Sequence, residues 1–208
     1  MEKEKLVQLY NKQATQYARL RKRKHNFDHE WRKKLLASAK GNILEVSVGA
    51  GANFKFYPPD IVLTGVDISP AMIEKAKEAA AETGITARLM VSAVEDLAFE
   101  PHTFDTIVST LSMCAYPDPV LVLQKMNTWC KPDGKILLME HGQSSYKLVQ
   151  WVQHAYDPLQ YRFIGCHADR NILQLIQQAG LTIENCERKF MGIIYLLWVR
   201  PVQYRKNK

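Results

Sequence analysis

From Asn42 onward, short β-branched runs alternate with amphipathic stretches, and this alternation constrains the fold more than any other feature of the chain. The runs Asn42 to Val48, Val62 to Ile68, Ala87 to Ala93, Phe104 to Leu111 and Lys135 to Glu140 read as buried parallel strands. Ser69-Pro70 supplies a capping hydroxyl and a first-turn proline for a helix through Met72, Ile73, Ala76 and Ala80, which Gly84 ends. Asp118-Pro119 starts the next helix in the same way, and Lys131-Pro132-Asp133-Gly134 turns it into a strand. A helix from about Ala168 to Ala179, stopped by Gly180, follows, and Thr182 to Arg188 and Gly192 to Val199, separated by a short turn, read as an antiparallel hairpin. The expected fold is α/β: a doubly wound, seven-stranded, mostly parallel sheet closed by that hairpin. In such a sheet, ligands bind at the carboxyl ends of the strands, near the switch in strand order.

Ahead of the sheet, Lys3 to Arg23 and Asp28 to Lys40 look helical. They form a basic N-terminal cap over residues 1–40, with 41–208 as the α/β domain. The chain's net charge of +7 belongs to this cap: it holds twelve Lys/Arg against four Asp/Glu, a net +8, so the other 168 residues sum to −1. Such a block either attracts anionic lipid headgroups, nucleic acid or an acidic substrate, or is simply a solvated helix face. No run approaches the roughly 18 apolar residues of a membrane span, and the N-terminus lacks the apolar core of a signal peptide. A cytoplasmic protein, at most peripheral to a membrane, is expected. The four cysteines, Cys114, Cys130, Cys166 and Cys186, form no C-x-x-C pair, so spacing suggests neither a disulfide framework nor a metal site.

The first strand runs into Gly49-Ala50-Gly51, where two glycines let the backbone turn sharply and approach a ligand. The third glycine of a dinucleotide-binding turn is missing, its position being taken by Phe54. Asp67, sixteen residues after Gly51 at the end of the second strand, can accept both hydroxyls of a ribose.

These segments carry a family resemblance. Ile43-Leu-Glu-Val-Ser-Val-Gly-Ala-Gly, Gly65-Val-Asp-Ile-Ser-Pro-Ala-Met, Val94-Glu-Asp-Leu-Ala-Phe and Leu121 to Gly134 resemble, in order, the motifs of class I S-adenosylmethionine-dependent methyltransferases over residues 40 to 142. Within that superfamily the chain is similar to quinone-biosynthesis methyltransferases. It is more closely similar to the small-molecule and thiol-methylating relatives of the animal membrane-anchored methyltransferase-like proteins, through Gly51 to Pro58, Ser109 to Cys114, Met139 to Gly142 and Gly165 to Arg170.

The resemblance implies S-adenosylmethionine as cofactor and S-adenosylhomocysteine as product. Glu45, Gly49 and Gly51 would frame the methionine end, with Asn53 closing the same motif. Asp67 would hold the ribose, Ile68 and Met72 flank the adenine, and Ala93, Val94 and Glu95 cover its edge. Thr110 and Leu111 would lie on the sulfonium side, and Tyr17 would belong to an N-terminal helix that covers the cofactor. Two positions depart from the family pattern: Ser47 stands where a first glycine is common, and Ala93 where Asp or Asn often meets the adenine amino group.

On the acceptor side, Tyr10, Cys114 and Arg170 join the aromatic segment 143–168, with Tyr146, Trp151 and Tyr156, as candidates for the acceptor pocket. So many aromatic rings suggest an apolar acceptor. His141, just past the fifth strand, is either the base for an acceptor that must lose a proton or a structural histidine. Cys166 and His167 show no third partner at metal-ligand spacing, and no metal is expected. The expected activity is methyl transfer to N, O or S of a small, largely apolar acceptor, with a phospholipid amine headgroup as a specific variant, by a monomer or homodimer. A nucleic-acid modifier and a silent cofactor-binding protein are the competing readings. Against the former, the loop after strand four reads Ser109-Thr-Leu-Ser and lacks an asparagine-proline motif of base methylation.

Overall fold

The computed structural model describes residues 2–23 and 26–202. Seven strands form one sheet: β1 (Asn42–Val46), β2 (Val62–Asp67), β3 (Ala87–Val91), β4 (Phe104–Thr110), β5 (Cys130–His141), β6 (Thr182–Lys189) and β7 (Ile194–Arg200). Their order is β3-β2-β1-β4-β5-β7-β6. The first five are mutually parallel, and β7 runs antiparallel to both β5 and β6. Strand order reverses between β1 and β4, so the crevice of a doubly wound sheet opens above those two strands.

Alternation along the strands buries both faces. Leu44 and Val46 of β1, with Ile136 and Leu138 of β5, share a core with α4 (Pro119–Trp129) and α6 (Ile172–Gln178). Ile43, Leu137 and Met139 point to the other side, where α2 (His29–Leu36) and α3 (Pro70–Thr83) bring Leu35, Leu36, Ile73 and Ala76. The helix starts follow the expected chemistry. Ser69 Oγ accepts the Met72 N–H at 3.1 Å, and Asp118 accepts the Leu121 N–H at 2.9 Å, each ahead of a proline at the first turn.

Three boundaries differ from the sequence reading. β5 begins at Cys130 instead of Lys135; its pairing with β4 jumps from Phe104↔Cys130 to Thr106↔Lys135, so the Pro132-Asp133-Gly134 turn is an irregularity inside the strand. The helix expected from Ala168 begins only at Ile172, capped by Asn171, because the Asp157 carboxylate holds the Ala168 N–H in a loop conformation. The aromatic segment 143–168 is mainly a long helix, α5 (Lys147–Ile164), which continues through Pro158 and ends at Gly165 with φ +75°.

Helix α1 (Lys3–Arg21) lies across the start of α3. Ser69 Oγ donates to Asn11 Oδ1 at 2.6 Å, and Ala14 and Ala18 pack on Ala50 and Met72. Its charges are largely engaged: Arg21 and Lys22 both pair with Glu82, and Lys3 pairs with Asp96. In α2, Arg32 pairs with Asp28 and Lys34 with Glu187. Lys3, Arg21, Lys22 and Lys34 thus tie the N-terminal segment to the sheet domain.

Candidate active site

A cavity of about 380 Å³ opens over the carboxyl ends of β1, β2 and β4, under α1. Tyr10 and Tyr17 reach it from α1, Glu45 and Gly49 from β1 and its turn, and Asp67, Ile68 and Met72 from the end of β2 and the start of α3. Ala93, Val94 and Glu95 close one end, and Thr110 and Leu111 complete the wall.

Asp67 ties two of these elements together. Its Oδ2 accepts the Gly49 N–H and its Oδ1 the Ser69 N–H, each at 2.9 Å. Burial pushes its carboxyl above the ordinary value, while those N–H groups and that of Ile68 oppose the rise. A carboxylate so oriented beside a glycine turn is the arrangement that receives a ribose diol.

The two glycines have separate tasks. Gly49 has φ +55°, and a Cβ added there meets nothing within 4 Å, since it points into the cavity. At Gly51, with φ +75°, a Cβ comes within 2.7 Å of Ala79 and 3.0 Å of Phe54, so this glycine lets the turn pack on α3 and does not line the cavity. Ser47, at the position where a glycine was expected, takes φ +51°, and Leu111 takes φ +56°. Both are left-handed conformations unfavourable for a side chain, together of order 2 kcal/mol. Ser47 Oγ shares a 2.7 Å hydrogen bond with the Tyr116 hydroxyl, and the Leu111 N–H donates to Met139 O at 2.7 Å.

A buried polar network supports the far end. Asn53 Nδ2 donates to Glu45 Oε1 at 2.8 Å, and the Tyr57 hydroxyl to Glu45 Oε2 at 2.7 Å. Arg32 donates to Asn53 Oδ1 at 2.7 Å and to Thr110 Oγ1 at 3.1 Å. Asn53 therefore acts behind the cavity wall, holding Glu45. Arg32, which does line the cavity, was hidden in the sequence because it belongs to a basic run. Its only distinguishing mark there is Asp28 four residues earlier, at helical salt-bridge spacing.

A second cluster lies beyond Leu111. Glu140 braces the turn after β4, accepting the Ser112 and Met113 N–H groups at 2.8 and 3.1 Å and the Ser109 hydroxyl at 2.6 Å. Burial pushes its carboxyl up to about 7. His141 Nε2 lies 2.9 Å from Cys166 Sγ, and Cys114 completes a trio whose ligand atoms lie within 4.8 Å of one another. The hydrogen bond with Cys114, and then those with His141 and Gln160, outweigh burial and bring the Cys166 thiol down to about 5. For His141, burial acts downward but its contacts with Cys166 and Glu140 lift it above the usual imidazole value. Arg170 donates to Met113 O and Tyr116 O, both at 2.7 Å, and so pins the Cys114 turn instead of facing the cavity. Tyr146, Trp151 and Tyr156, expected in an acceptor pocket, are exposed, with 60, 71 and 48% of their surface accessible, because α5 turns its apolar face outward.

A glycine turn over the switch point, a buried Asp67 at the end of the next strand and a helix closing the cavity stand together on a Rossmann-like methyltransferase fold. Residues 44–138 match the family described as "Methyltransferase domain". The chain is 33% identical over 160 residues to thiol S-methyltransferase TMT1B of Homo sapiens, covering 74% of this chain and 65% of that protein. It is 31% identical over 103 residues to phosphatidylethanolamine N-methyltransferase of Cereibacter sphaeroides, covering 49% of this chain and 51% of that protein. The chain thus spans between about half and two thirds of the length of these curated relatives. A SAM-dependent methyltransferase from Aquifex aeolicus shares the fold, with TM-score 0.64 at 13% identity over 97% of this chain and all of its own.

Two outcomes follow. Gly49→Ala should weaken S-adenosylhomocysteine binding at least about tenfold in calorimetry with a stability loss near 1 kcal/mol, whereas Gly51→Ala should lose about 2 kcal/mol or more. Equal stability losses would contradict this division of tasks. Burial also raises Glu45 from 4.5 to about 7, against the hydrogen bonds of Tyr57 and Asn53 and the charge of Arg32. The folded protein therefore holds a proton that the unfolded chain has lost, so this group's stabilising contribution is present below pH 4.5 and fades as pH rises through 7. Glu140 adds to that decline over the same window, so thermal denaturation of the ligand-free protein should show it and Glu45→Gln should make it shallower without abolishing it.

Proposed function

We propose that this chain transfers the methyl group of S-adenosylmethionine to a small, largely apolar acceptor that it meets at a membrane surface. The observation carrying this reading is the outward face of α5. Leu148, Trp151, Val152, Tyr156, Leu159 and Phe163 recur at helical spacing and are all exposed. The turn between β6 and β7 extends the patch with exposed Phe190 and Met191, which the Ser144 hydroxyl and the Ser145 N–H, both donating to Met191 O, hold beside the start of α5. A contiguous apolar patch of this size marks an interaction surface. Lys147 and Arg162 on α5 and Lys189 beside the turn give it a basic margin suited to an anionic bilayer. This helix, more than the largely paired basic block of α1, supports peripheral contact; among the described residues, no helix is long and apolar enough to cross a membrane.

Inside the cavity, Asp67 would take the ribose hydroxyls and Arg32 offers a cation for the methionine carboxylate. Methyl transfer from a sulfonium asks chiefly for in-line positioning, because the donor is already activated. The human relative's name supports a thiol acceptor and the bacterial one's a phospholipid amine; both belong in the first acceptor panel.

Asp67→Asn should reduce cofactor affinity about tenfold or more, consistent with loss of charge-assisted hydrogen bonds, and wild-type protein should release S-adenosylhomocysteine with at least one apolar thiol or lipid amine. Cofactor binding without turnover on any acceptor would favour the silent-binder reading. In sedimentation with vesicles, the wild-type chain should bind those containing anionic lipid and leave neutral ones. A Leu148→Ser, Trp151→Ser, Leu159→Ser variant should lose that binding while keeping cofactor affinity. Unchanged vesicle binding, or a wild-type dimer that this variant converts to monomer, would show that the face serves another partner.

A further inference from the structure

The trio Cys114, His141 and Cys166 lies outside the cofactor cavity's wall, yet it is built from the same elements. The turn from Leu111 to Tyr116 supplies Leu111, Ser112, Ala115 and Tyr116 to the cavity and Cys114 to the trio. Tyr10 and Tyr17, which line the cavity, lie within electrostatic reach of both Cys114 and Cys166. The trio thus adjoins the cavity through the Leu111–Tyr116 turn.

We infer that Cys114, His141 and Cys166 form a zinc site with one open position, and that this position takes a thiol acceptor. Two thiolates and one imidazole are a set that zinc favours, and three protein ligands with a vacant fourth position are the pattern of a catalytic rather than a structural site. Zinc–sulfur bonds near 2.3 Å and zinc–nitrogen bonds near 2.0 Å place tetrahedral ligand atoms roughly 3.3–3.8 Å apart. The three ligand atoms already lie within 4.8 Å of one another, so opening the 2.9 Å contact between His141 and Cys166 and drawing Cys114 inward satisfies that spacing. The cysteines are buried and His141 is half-buried, so the cluster sits away from the bulk solvent.

The ligands also sit on braced backbone. Glu140 and Arg170 fix the Cys114 turn from opposite polarities, one receiving N–H groups and the other donating to carbonyls. On the other side, the His167 N–H donates to Cys114 O at 3.0 Å, and Asp157 of α5 holds both the His167 ring at 2.7 Å and the Ala168 N–H. Tyr161 stacks on that ring with centroids 4.1 Å apart. Such outer contacts orient metal ligands. Spacing along the chain carries no signature of the trio because its residues come from three separate segments.

The reaction then balances simply. An acceptor thiol binds the metal and releases its proton to solvent; its sulfur lone pair attacks the methyl carbon. A new carbon–sulfur bond forms as the sulfonium carbon–sulfur bond breaks, and the bonding pair returns to the cofactor sulfur, giving S-adenosylhomocysteine. The neutral thioether is a poorer ligand than the thiolate and departs.

This step rests on the methyl-transfer reading; metal binding does not, and the test separates them. Full-length protein purified under reducing conditions without chelator should carry about one zinc per chain by elemental analysis. After replacement by cobalt, thiolate-to-metal charge-transfer absorption should appear, and an added alkyl thiol should perturb it. Cys166→Ser and Cys114→Ala should each lower zinc affinity at least about tenfold while leaving S-adenosylhomocysteine affinity in calorimetry unchanged. Protein that binds S-adenosylhomocysteine normally but takes up neither zinc nor cobalt would overturn the site, as would a Cys114–Cys166 disulfide persisting under those reducing conditions. Retained zinc without S-adenosylhomocysteine binding would support the metal site and overturn only the methyl-transfer reading.

Discussion

The whole site depends on one carboxylate held between two chain turns. Asp67 ends β2, and by receiving the N–H groups of Gly49 and Ser69 it fixes the glycine turn after β1 relative to the start of α3. These are charge-assisted bonds in a buried setting, stronger than neutral ones and costly to leave unmade. The same residue that would orient a ribose also assembles the floor beneath it. Ser69 passes the constraint onward: its hydroxyl caps α3 and donates to Asn11, so α1 is anchored to the same corner that it covers.

A second constraint comes from strain. Ser47 and Leu111 hold left-handed backbone conformations at the ends of the two strands flanking the switch point. Neighbouring contacts hold both positions: the Tyr116 hydroxyl for Ser47 and the Met139 carbonyl for Leu111. Ser47 is thus a departure in side chain that keeps the backbone conformation a glycine would take, with Tyr116 supplying a partner. The strain points Val48 and Ser112 onward into the cavity wall, where an unstrained strand would have continued straight.

Most of this architecture was legible because it rests on local chemistry. Strand runs, Ser69-Pro70, Asp118-Pro119 and Gly84 each declare themselves within a few residues, and the cofactor side of the site follows strand ends whose order the fold prescribes. What was not legible depended on tertiary partners. Arg32 looks like one more lysine or arginine in a basic run until Asn53, Thr110 and Asp28 surround it. The aromatic segment carried the clearest error of inference: abundant rings suggested a pocket, but helical periodicity in Leu148, Trp151, Tyr156, Leu159 and Phe163 places them on one face, and the structure turns that face outward. Composition speaks to burial of apolar surface by something, not to which partner buries it.

Helix α5 organises the Cys166 loop in a different way from that in which the sheet organises the cavity. Its outward face is apolar, while its inward groups are polar: Gln153 donates to Gly142 O and Ala168 O, Gln160 to Cys166 Sγ, and Asp157 holds the loop that carries Cys166. A tilt of this helix against an apolar surface would therefore be felt first at the Cys166 loop and only afterwards at the cavity. The cavity has no comparable link; its restraints run through Asp67, Glu45 and α1. The restraints on the cavity thus run through the sheet and α1, and those on the Cys166 loop through a surface helix, so the loop can shift without disturbing Asp67 and its partners.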